Sequence, residues 1–271
     1  MKKIIALFLI ASIVSCKNSS EEERIPVEPD NGIGDGAGPP QILSFSENIE
    51  EAHNKAAFKM KEAVSFDIQL NFGGSERLKA KLAMNTNSSG IRIEKNNGST
   101  IIFDGSKVAI SPDSSATDGA RFDIFTWQYF FAMPFKLTDP GTVWEKSSQR
   151  KLDSLEYPSS KLTFKSNTGD SPDDWYVVYQ DDKSKLVKAA AYIVTFGTDK
   201  SKAEENPHAI VYSDYETVED VSFATTWSFH NWNEESGLGD KIGEAKISNI
   251  QFFQPEVNYF QIPENSKEVK K

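Results

Sequence analysis

The side chains most often used for metal binding and nucleophilic catalysis are scarce in this sequence. Its 271 residues include three histidines, His53, His208 and His230, and one cysteine. Neither an HExxH nor an HxH pattern is present, so the sequence does not indicate a zinc site. A GxSxG nucleophile elbow and a GxGxxG or GxxxxGK[ST] phosphate loop are also missing. We therefore expect each histidine on the surface or in the core, and we predict no metal and no cofactor.

Carboxylates occur as adjacent pairs, at Asp173–Asp174, Asp181–Asp182, Glu204–Glu205 and Glu234–Glu235. A glycosidase needs two carboxylates that face each other across a cleft, and neighbouring residues in a turn do not provide that arrangement. The pattern Asp170-x-x-Asp173-Asp174 lacks the twelve-residue spacing and the central glycine of a calcium loop. We interpret these residues as solvated loop acids, and we predict that the protein is not an enzyme.

The overall composition narrows the class of protein further. Acidic residues outnumber basic residues by 40 to 30, which gives a formal net charge of -10. Because nucleic-acid binding depends on clustered Lys and Arg, this charge disfavours nucleic acid as a partner. One cysteine excludes a disulfide scaffold. The aromatic content of 11% indicates a folded core rather than disorder.

The one cysteine, Cys16, follows an N-terminal targeting segment. A basic start, Met1–Lys3, precedes an apolar run at 4–14 that is too short to span a bilayer comfortably. The residues Ile13-Val14-Ser15-Cys16 resemble a bacterial lipobox. The resemblance implies that a signal peptide at 1–15 is removed and that acyl chains such as palmitate on Cys16 anchor the protein in a membrane. The alternative is an ordinary secretory signal with a coincidental cysteine.

Residues 16–40 are predicted to form a flexible tether. The acidic run Glu21–Glu23 resembles a surface-export signal of lipoproteins from some Gram-negative phyla, or it is simply the solvated start of the tether. Residues 25–40 hold four Gly and four Pro and show no apolar periodicity. We expect one folded domain at 41–262 and a charged tail at 263–271.

The domain begins with a helical pattern and continues with strand patterns. A capping box, Ser44-x-x-Glu47, and an apolar stripe predict a helix over 46–62. Strict alternation from Val64 to Phe72 then predicts a strand. Similar runs, several of them separated by Asn-Gly or Asp-Gly turns, bring the total to around twelve strands. We expect strands at 64–72, 78–84, 90–95, 99–103, 107–111, 142–146, 150–157, 160–166, 175–180, 185–197, 209–216, 220–230 and 243–254.

An aromatic segment at 122–135 interrupts the strand pattern. Seven of its 14 residues are aromatic, and we predict a helix that begins after Gly119 and ends before Pro134. An antiparallel meander of this many strands should curl. The sequence therefore predicts a mainly β (α+β) fold, in which a curved antiparallel sheet forms a half-open barrel and the two helices lie across its concave face. The aromatic side chains then form ordinary core, fill a cavity or cover it as a lid.

This arrangement resembles the lipoprotein-carrier (LolA/LolB) superfamily over about residues 45–255. Val211–Val221 resembles a hairpin of its outer-membrane lipoprotein-sorting relatives, and Phe122–Trp127 with Asp139–Gly141 is similar to a group of membrane-anchored lipoproteins with this layout. The resemblance implies a concave cavity that binds acyl chains. We assign seven residues to the cavity or its plug: Phe66, Leu70, Phe125, Trp127, Phe130, Phe131 and Trp227.

The expected function is therefore that of a lipid-anchored, monomeric envelope protein that binds a lipid or another apolar ligand. Its predicted partners are the outer membrane, reached through Cys16 from the periplasmic face or the cell surface, and the lipoprotein export machinery. One alternative is a structural or interaction lipoprotein whose barrel is filled. A second is a carbohydrate-binding or hydrolase-like envelope protein, in which Trp227 and Trp232 near Asn231 and Asn233 form a sugar-stacking surface.

Overall fold

The computed structural model describes residues 42–271. The predicted signal peptide, the predicted acylation site Cys16 and the predicted tether at 16–40 lie outside the described residues. The helices are α1 (Phe45–Ala52), α2 (Lys55–Lys59), α3 (Ala120–Ala132) and α4 (Lys200–Ala203), and a 3₁₀ turn follows α3 at Met133–Phe135. Among the helices of residues 42–271, none has the length and apolar composition needed to cross a bilayer.

Fourteen strands form one antiparallel sheet within the described range. They are β1 (Ala63–Phe72), β2 (Ser75–Asn85), β3 (Ile91–Lys95), β4 (Thr100–Phe103), β5 (Val108–Ser111), β6 (Thr142–Trp144), β7 (Ser148–Lys151), β8 (Glu156–Phe164), β9 (Tyr176–Gln180), β10 (Val187–Tyr192), β11 (His208–Val218), β12 (Val221–Asn233), β13 (Gly237–Phe253) and β14 (Lys267–Glu268).

The sheet consists of two meanders that meet at β1 and β13. The strand order is β14-β5-β4-β3-β2-β1-β13-β12-β11-β10-β9-β8-β6, and β7 also pairs with β8. The chain makes two long crossings: one between β5 and β6, in which α3 lies, and one between β13 and β14, which brings the chain to the edge beside β5. The predicted mainly β class with a mid-chain helix is confirmed.

The contacts of α3 show that the sheet is strongly curved. Phe125 packs against Phe103 on β4 at a ring-centroid distance of 5.1 Å, while Tyr129 packs against Phe164 on β8 at 6.5 Å. In the strand order β4 and β8 are nine steps apart, which would be about 43 Å in a flat sheet. A helix of 13 residues is only about 20 Å long. The sheet therefore curls around α3, and within the described residues its outer strands β14 and β6 do not pair, so the barrel is half open.

A buried carboxylate fixes the first turn of α3 to the N-terminal meander. Asp123 accepts hydrogen bonds from Arg77 on β2 at 2.7 Å and from Lys95 on β3 at 3.1 Å. The indole Nε1 of Trp127, one turn later, donates to the same carboxylate at 3.0 Å. A buried charge is tolerated only when it is paired and hydrogen-bonded, and these three donors meet that need.

The end of α3 is set by Pro134, as the sequence predicts. Proline has no backbone N–H, so the carbonyl of Phe130 loses its helical partner four residues later. The hydroxyl of Tyr212 on β11 donates to this carbonyl at 2.9 Å. The sheet therefore satisfies the carbonyl that the proline leaves free.

The N-terminal helix differs from the prediction, because the stripe over 46–62 is divided between α1 and α2. The capping box at Ser44 and Glu47 is present, but Asn54 has a left-handed backbone (φ 59°) and its side chain caps Ala57. The imidazole of His53, at the break, lies in the core. Its Nδ1 donates to the carbonyl of Ser222 at 2.9 Å, and its Nε2 accepts from the N–H of Val187 at 3.1 Å.

Two further segments differ from the sequence-based boundaries. In place of the predicted strands 150–157 and 160–166, the structure has the hairpin of β7 and β8. β7 ends at Lys151, because the side chain of the next residue, Leu152, is buried in a second, smaller core on the outer face of the sheet. The segment 263–271, expected as a charged tail, contains β14, which pairs with Ala109 and Ile110 of β5. Val269, which follows β14, is buried and donates its N–H to the carbonyl of Val108 at 2.8 Å.

Candidate functional site

A cavity of about 510 Å³ lies between α3 and the open side of the barrel. This volume is in the range of pockets that enclose small-molecule ligands. Its walls come from α3, from Phe103 on β4, and from Phe164, Tyr176 and Tyr192 on β8, β9 and β10. The segment 136–142 and the loop 168–174 border it.

One face of α3 lines the cavity and another packs against the sheet, and both faces carry aromatic side chains. Phe122, Phe125 and Tyr129 follow one another at spacings of three and four and line the cavity. Trp127 and Phe131, on another face, are buried against the sheet. On the cavity side, α3 also contributes Arg121, Thr126 and Gln128, so this face combines aromatic rings with a few polar side chains.

Three tyrosines form a contiguous part of the cavity wall. The ring centroids of Tyr129 and Tyr176 are 5.3 Å apart, and those of Tyr176 and Tyr192 are 6.3 Å apart. Tyr176 and Tyr192 are direct partners in the β9–β10 pairing. Burial raises the pKa of all three hydroxyls above the usual value for tyrosine. The hydroxyls therefore stay protonated and can donate hydrogen bonds.

The charged side chains of the cavity are mostly paired with one another. Arg121 binds the carboxylate of Asp170 through two hydrogen bonds of 3.0 and 2.6 Å. The ammonium group of Lys136 lies 3.6 Å from Asp139, and burial lowers the pKa of this lysine. The ammonium group of Lys271, an exposed residue near this border, donates to the carbonyl of Asp170 at 2.6 Å. These pairs hold the charges at the border, while the wall combines aromatic rings with polar side chains such as Ser88, Thr126 and Gln128.

Asp174 is the one carboxylate of the cavity that is held by neutral donors. It accepts from the backbone N–H of Thr195 at 2.8 Å and from its hydroxyl at 2.7 Å. Burial raises its pKa, and the bonds from Thr195 act in the opposite direction. The contacts connect the start of β9 with the segment after β10.

The structure separates the seven residues that the sequence assigns to the cavity. Phe125 and Phe130 line it. The other five lie in the packed core between α3 and the sheet, where each is at most 4% exposed: Phe66, Leu70, Trp127, Phe131 and Trp227. The sequence reasoning missed Tyr129, Tyr176 and Tyr192. Tyr129 could have been found from its position four residues after Phe125, whereas the other two depend on the β9–β10 register.

The histidines and the tryptophans considered for other functions do not line the cavity. His53 is a buried core residue, and burial lowers its pKa to about 4. Trp227 and Trp232 are 1% and 5% exposed, so they offer no surface on which a sugar could stack. Within residues 42–271, groups of three or more His, Cys, Asp or Glu side chains suited to a metal ion are not found.

One solved structure has the same fold, and two others are more distantly similar. A LolA superfamily protein from Nitrosomonas europaea is similar with a TM-score of 0.52 at 9% identity, covering 81% of this chain and 99% of that protein. A putative outer membrane lipoprotein-sorting protein domain from Vibrio parahaemolyticus gives a TM-score of 0.48 at 11% identity, covering 80% and 97%. A DUF1329 family protein from Desulfovibrio piger gives 0.48 at 9% identity, with the same coverage. The predicted fold resemblance is confirmed by the first of these.

Sequence comparison gives a family. No curated protein sequence matches the chain. The model of DUF6503, described as a family of unknown function, matches residues 78–247. The match spans well over half of the 271 residues, and every residue that lines the cavity lies within it. The chain therefore belongs to the DUF6503 family.

Proposed function

We propose that the protein is a non-enzymatic, lipid-anchored envelope protein that binds a lipid or another apolar ligand in the cavity beside α3. The observation that carries this proposal is the aromatic wall that faces open space. Phe122, Phe125 and Phe164 surround about 510 Å³ of cavity, although the chain has packed a dense core on the other side of the same helix. Apolar surface left in contact with water costs about 25 cal/mol per Å², and an apolar ligand would recover that free energy.

The cavity also favours this function over a filled structural barrel. A structural module gains stability from dense packing, since protein interiors leave few voids larger than a water molecule. The side chains of the inner core meet that expectation, for example in the stacked pair Phe58 and Phe135 at 4.0 Å. The cavity is a separate space with a border of paired charges, which is the arrangement of a ligand pocket.

The anchor is part of the proposal. The lipobox-like residues before Cys16 support acylation at this cysteine, and the Gly/Pro-rich tether supports a folded domain that stands off the membrane surface. An outer-membrane location, reached by the lipoprotein export machinery, would place the cavity close to a supply of acyl chains.

Ligand binding is tested by filling the cavity. The purified full-length chain is titrated with diphenylhexatriene, a hydrocarbon fluorophore, and co-purifying lipids are identified by mass spectrometry. Thr126 lines the cavity on α3, so Thr126→Trp should weaken fluorophore binding at least tenfold and reduce the co-purified lipid. Thr163→Trp, on β8 outside the cavity, is the matched control. If both variants bind like the wild type, the cavity is not the binding site and the proposal fails.

Anchoring is tested separately in cells. The wild-type chain should incorporate labelled palmitate and sediment with membranes, and Cys16→Ser should abolish both. A Cys16→Ser protein that still incorporates the label would contradict acylation at this residue without affecting the cavity.

A further inference from the structure

Two cations line the cavity, and one of them, Lys136, lacks a close acceptor. The other, Arg121, makes two hydrogen bonds to Asp170, at 3.0 and 2.6 Å. Within residues 42–271, the ion-pair partner of Lys136 is Asp139 alone. The ammonium nitrogen and the carboxylate oxygen are 3.6 Å apart, which is longer than a normal hydrogen bond. A cation that is largely removed from water and incompletely paired is unfavourable.

The ammonium group of Lys136 is open to a ligand. Its side chain is 14% exposed, and the residue lines the cavity. In the described part of the chain, the side-chain polar atoms that are both sealed from solvent and unpaired are the hydroxyls of Tyr129 and Ser266, so the ammonium group is not sealed. The cavity therefore contains a reachable cation with three N–H donors.

The charges around Lys136 favour an anion beside it. Asp139 also lies 3.5 Å from Lys55 and 3.8 Å from Lys59, so three ammonium groups share one carboxylate. Burial is the main cause of the lowered pKa of Lys136. Asp139 acts in the opposite direction, and the charges of Lys55 and Lys59 lower the pKa further. A second carboxylate next to this ammonium group would reduce the repulsion.

The other carboxylates in and near the cavity are bound by other groups. Glu50 accepts from Lys55 at 2.6 Å and from the backbone N–H and the hydroxyl of Thr138 at 2.8 and 2.7 Å. The two remaining carboxylates of the cavity are held by Arg121 and by Thr195. The end of the cavity that follows α3 therefore keeps an excess of positive charge.

We infer that the cavity takes a single-chain lipid with a terminal carboxylate, such as a fatty acid, and that the ammonium group of Lys136 binds this carboxylate. A cavity of about 510 Å³ suits one small ligand. The hydrocarbon chain extends along Tyr129, Phe125 and Phe122, which cover about 10 Å of α3. The carboxylate supplies the acceptor that Asp139 is too distant to provide. This inference rests on the proposed function and specifies its ligand class.

The test compares two probes that share a chain but differ in charge. Sodium laurate and methyl laurate are each used to displace diphenylhexatriene from the full-length protein at pH 7.5. In Lys136→Gln the half-displacement concentration of laurate should rise about tenfold, the factor expected when a charge-assisted hydrogen bond is lost. That of methyl laurate, and the affinity for the fluorophore, should change by less than about twofold, because neither molecule carries a charge.

A second substitution should have the opposite effect. Asp139→Asn removes the carboxylate that competes with the ligand for Lys136. The half-displacement concentration of laurate should therefore fall about fivefold, the effect of one unit charge at about 4 Å in water. The concentration for methyl laurate should stay the same.

The control variant is Lys79→Gln, which removes the same charge from an exposed position on β2 outside the cavity and should leave both probes unaffected. An unchanged laurate affinity in Lys136→Gln would overturn the inference, as would an equal loss for laurate and methyl laurate or a weaker binding of laurate by Asp139→Asn. Each of these results would leave the cavity intact as the binding site. A wild-type protein that does not bind diphenylhexatriene would overturn the proposed function and this inference together.

Discussion

Phe66 on β1 and Phe131 on α3 stack face to face, with ring centroids 3.9 Å apart and planes inclined by 17°. Phe131 also stacks against Phe223 on β12, at 4.9 Å and 13°. β1 and β12 lie near the middle of the strand order, on either side of β13. The helix that walls the cavity is therefore fixed to the centre of the sheet by its opposite face.

This double role predicts different effects for two phenylalanines of α3. Phe131→Ala should lower the free energy of unfolding by about 3–5 kcal/mol, because it removes a buried ring between two others. Phe125→Ala removes a half-buried ring of the cavity wall and should cost about 1–2 kcal/mol, because less apolar surface is lost. Urea unfolding followed by tryptophan fluorescence measures both. Equal losses would mean that α3 does not divide into a core face and a cavity face.

The hydroxyl of Tyr129, which is buried and has no hydrogen-bond partner among residues 42–271, predicts a stabilising substitution. Tyr129→Phe should raise the free energy of unfolding of the ligand-free protein by about 1 kcal/mol, because an unsatisfied buried donor is removed. Tyr212→Phe, the matched control, should lower it by about 1–2 kcal/mol, because the carbonyl of Phe130 loses its donor. A destabilised Tyr129→Phe variant would show that the hydroxyl has a partner in the free protein.

The buried imidazole of His53 predicts a loss of stability in mild acid. Its pKa is about 4 in the folded protein and about 6.5 in an unfolded chain. Between these values the unfolded state binds the extra proton, so stability falls as the pH falls. For this residue alone the loss between pH 7.5 and pH 5 should be about 2 kcal/mol. Urea unfolding at the two pH values measures it.

The control for this prediction is His53→Gln, which starts from a lower stability but should lose about 2 kcal/mol less over the same interval. The pKa of His208 is also lowered by burial, and this residue is retained in the variant, so its contribution cancels in the comparison. Parallel pH profiles for the wild type and His53→Gln would contradict the assignment of a neutral, buried imidazole.

The burial of Val269 predicts that the C-terminal segment contributes to stability, and the exposed Val257 provides a matched control. Val269 is 7% exposed and packs against the core, whereas Val257 is 95% exposed. Val269→Ala should lower the free energy of unfolding by about 1.5 kcal/mol, the value of two buried methyl groups. Val257→Ala should change it by less than about 0.5 kcal/mol. If Val269→Ala has no effect, the segment 263–271 behaves in solution as the tail that the sequence suggested.

The local patterns of the sequence located most of the fold. The alternation from Val64 to Phe72 marked β1, and Gly119 and Pro134 marked the limits of α3 within a residue or two, because backbone constraints at these positions act locally. The break at Asn54 was not predictable in this way. It depends on the contacts of His53 with Val187 and Ser222, which are distant in the chain.

The cavity was predicted less completely, for a physical reason. Trp127 and Phe125 are equally apolar in the sequence, yet one packs on the sheet and the other lines the cavity. Helical spacing separates the faces of α3 but does not say which face the sheet covers. Tyr176 and Tyr192 come together through strand register, which depends on turn geometry and on the pairing of whole strands.

The pairing of β1 with β13 has a consequence for the order in which the domain acquires its structure. Residues 63–72 form hydrogen bonds with residues 243–253, so the earliest strand of the chain obtains its second neighbour from nearly the last. Such distant pairing slows folding and exposes an apolar edge while the remainder of the polypeptide emerges. A chain interrupted before residue 237 would leave that edge open to aggregation. The central part of the sheet is therefore completed only after β13 has been synthesised.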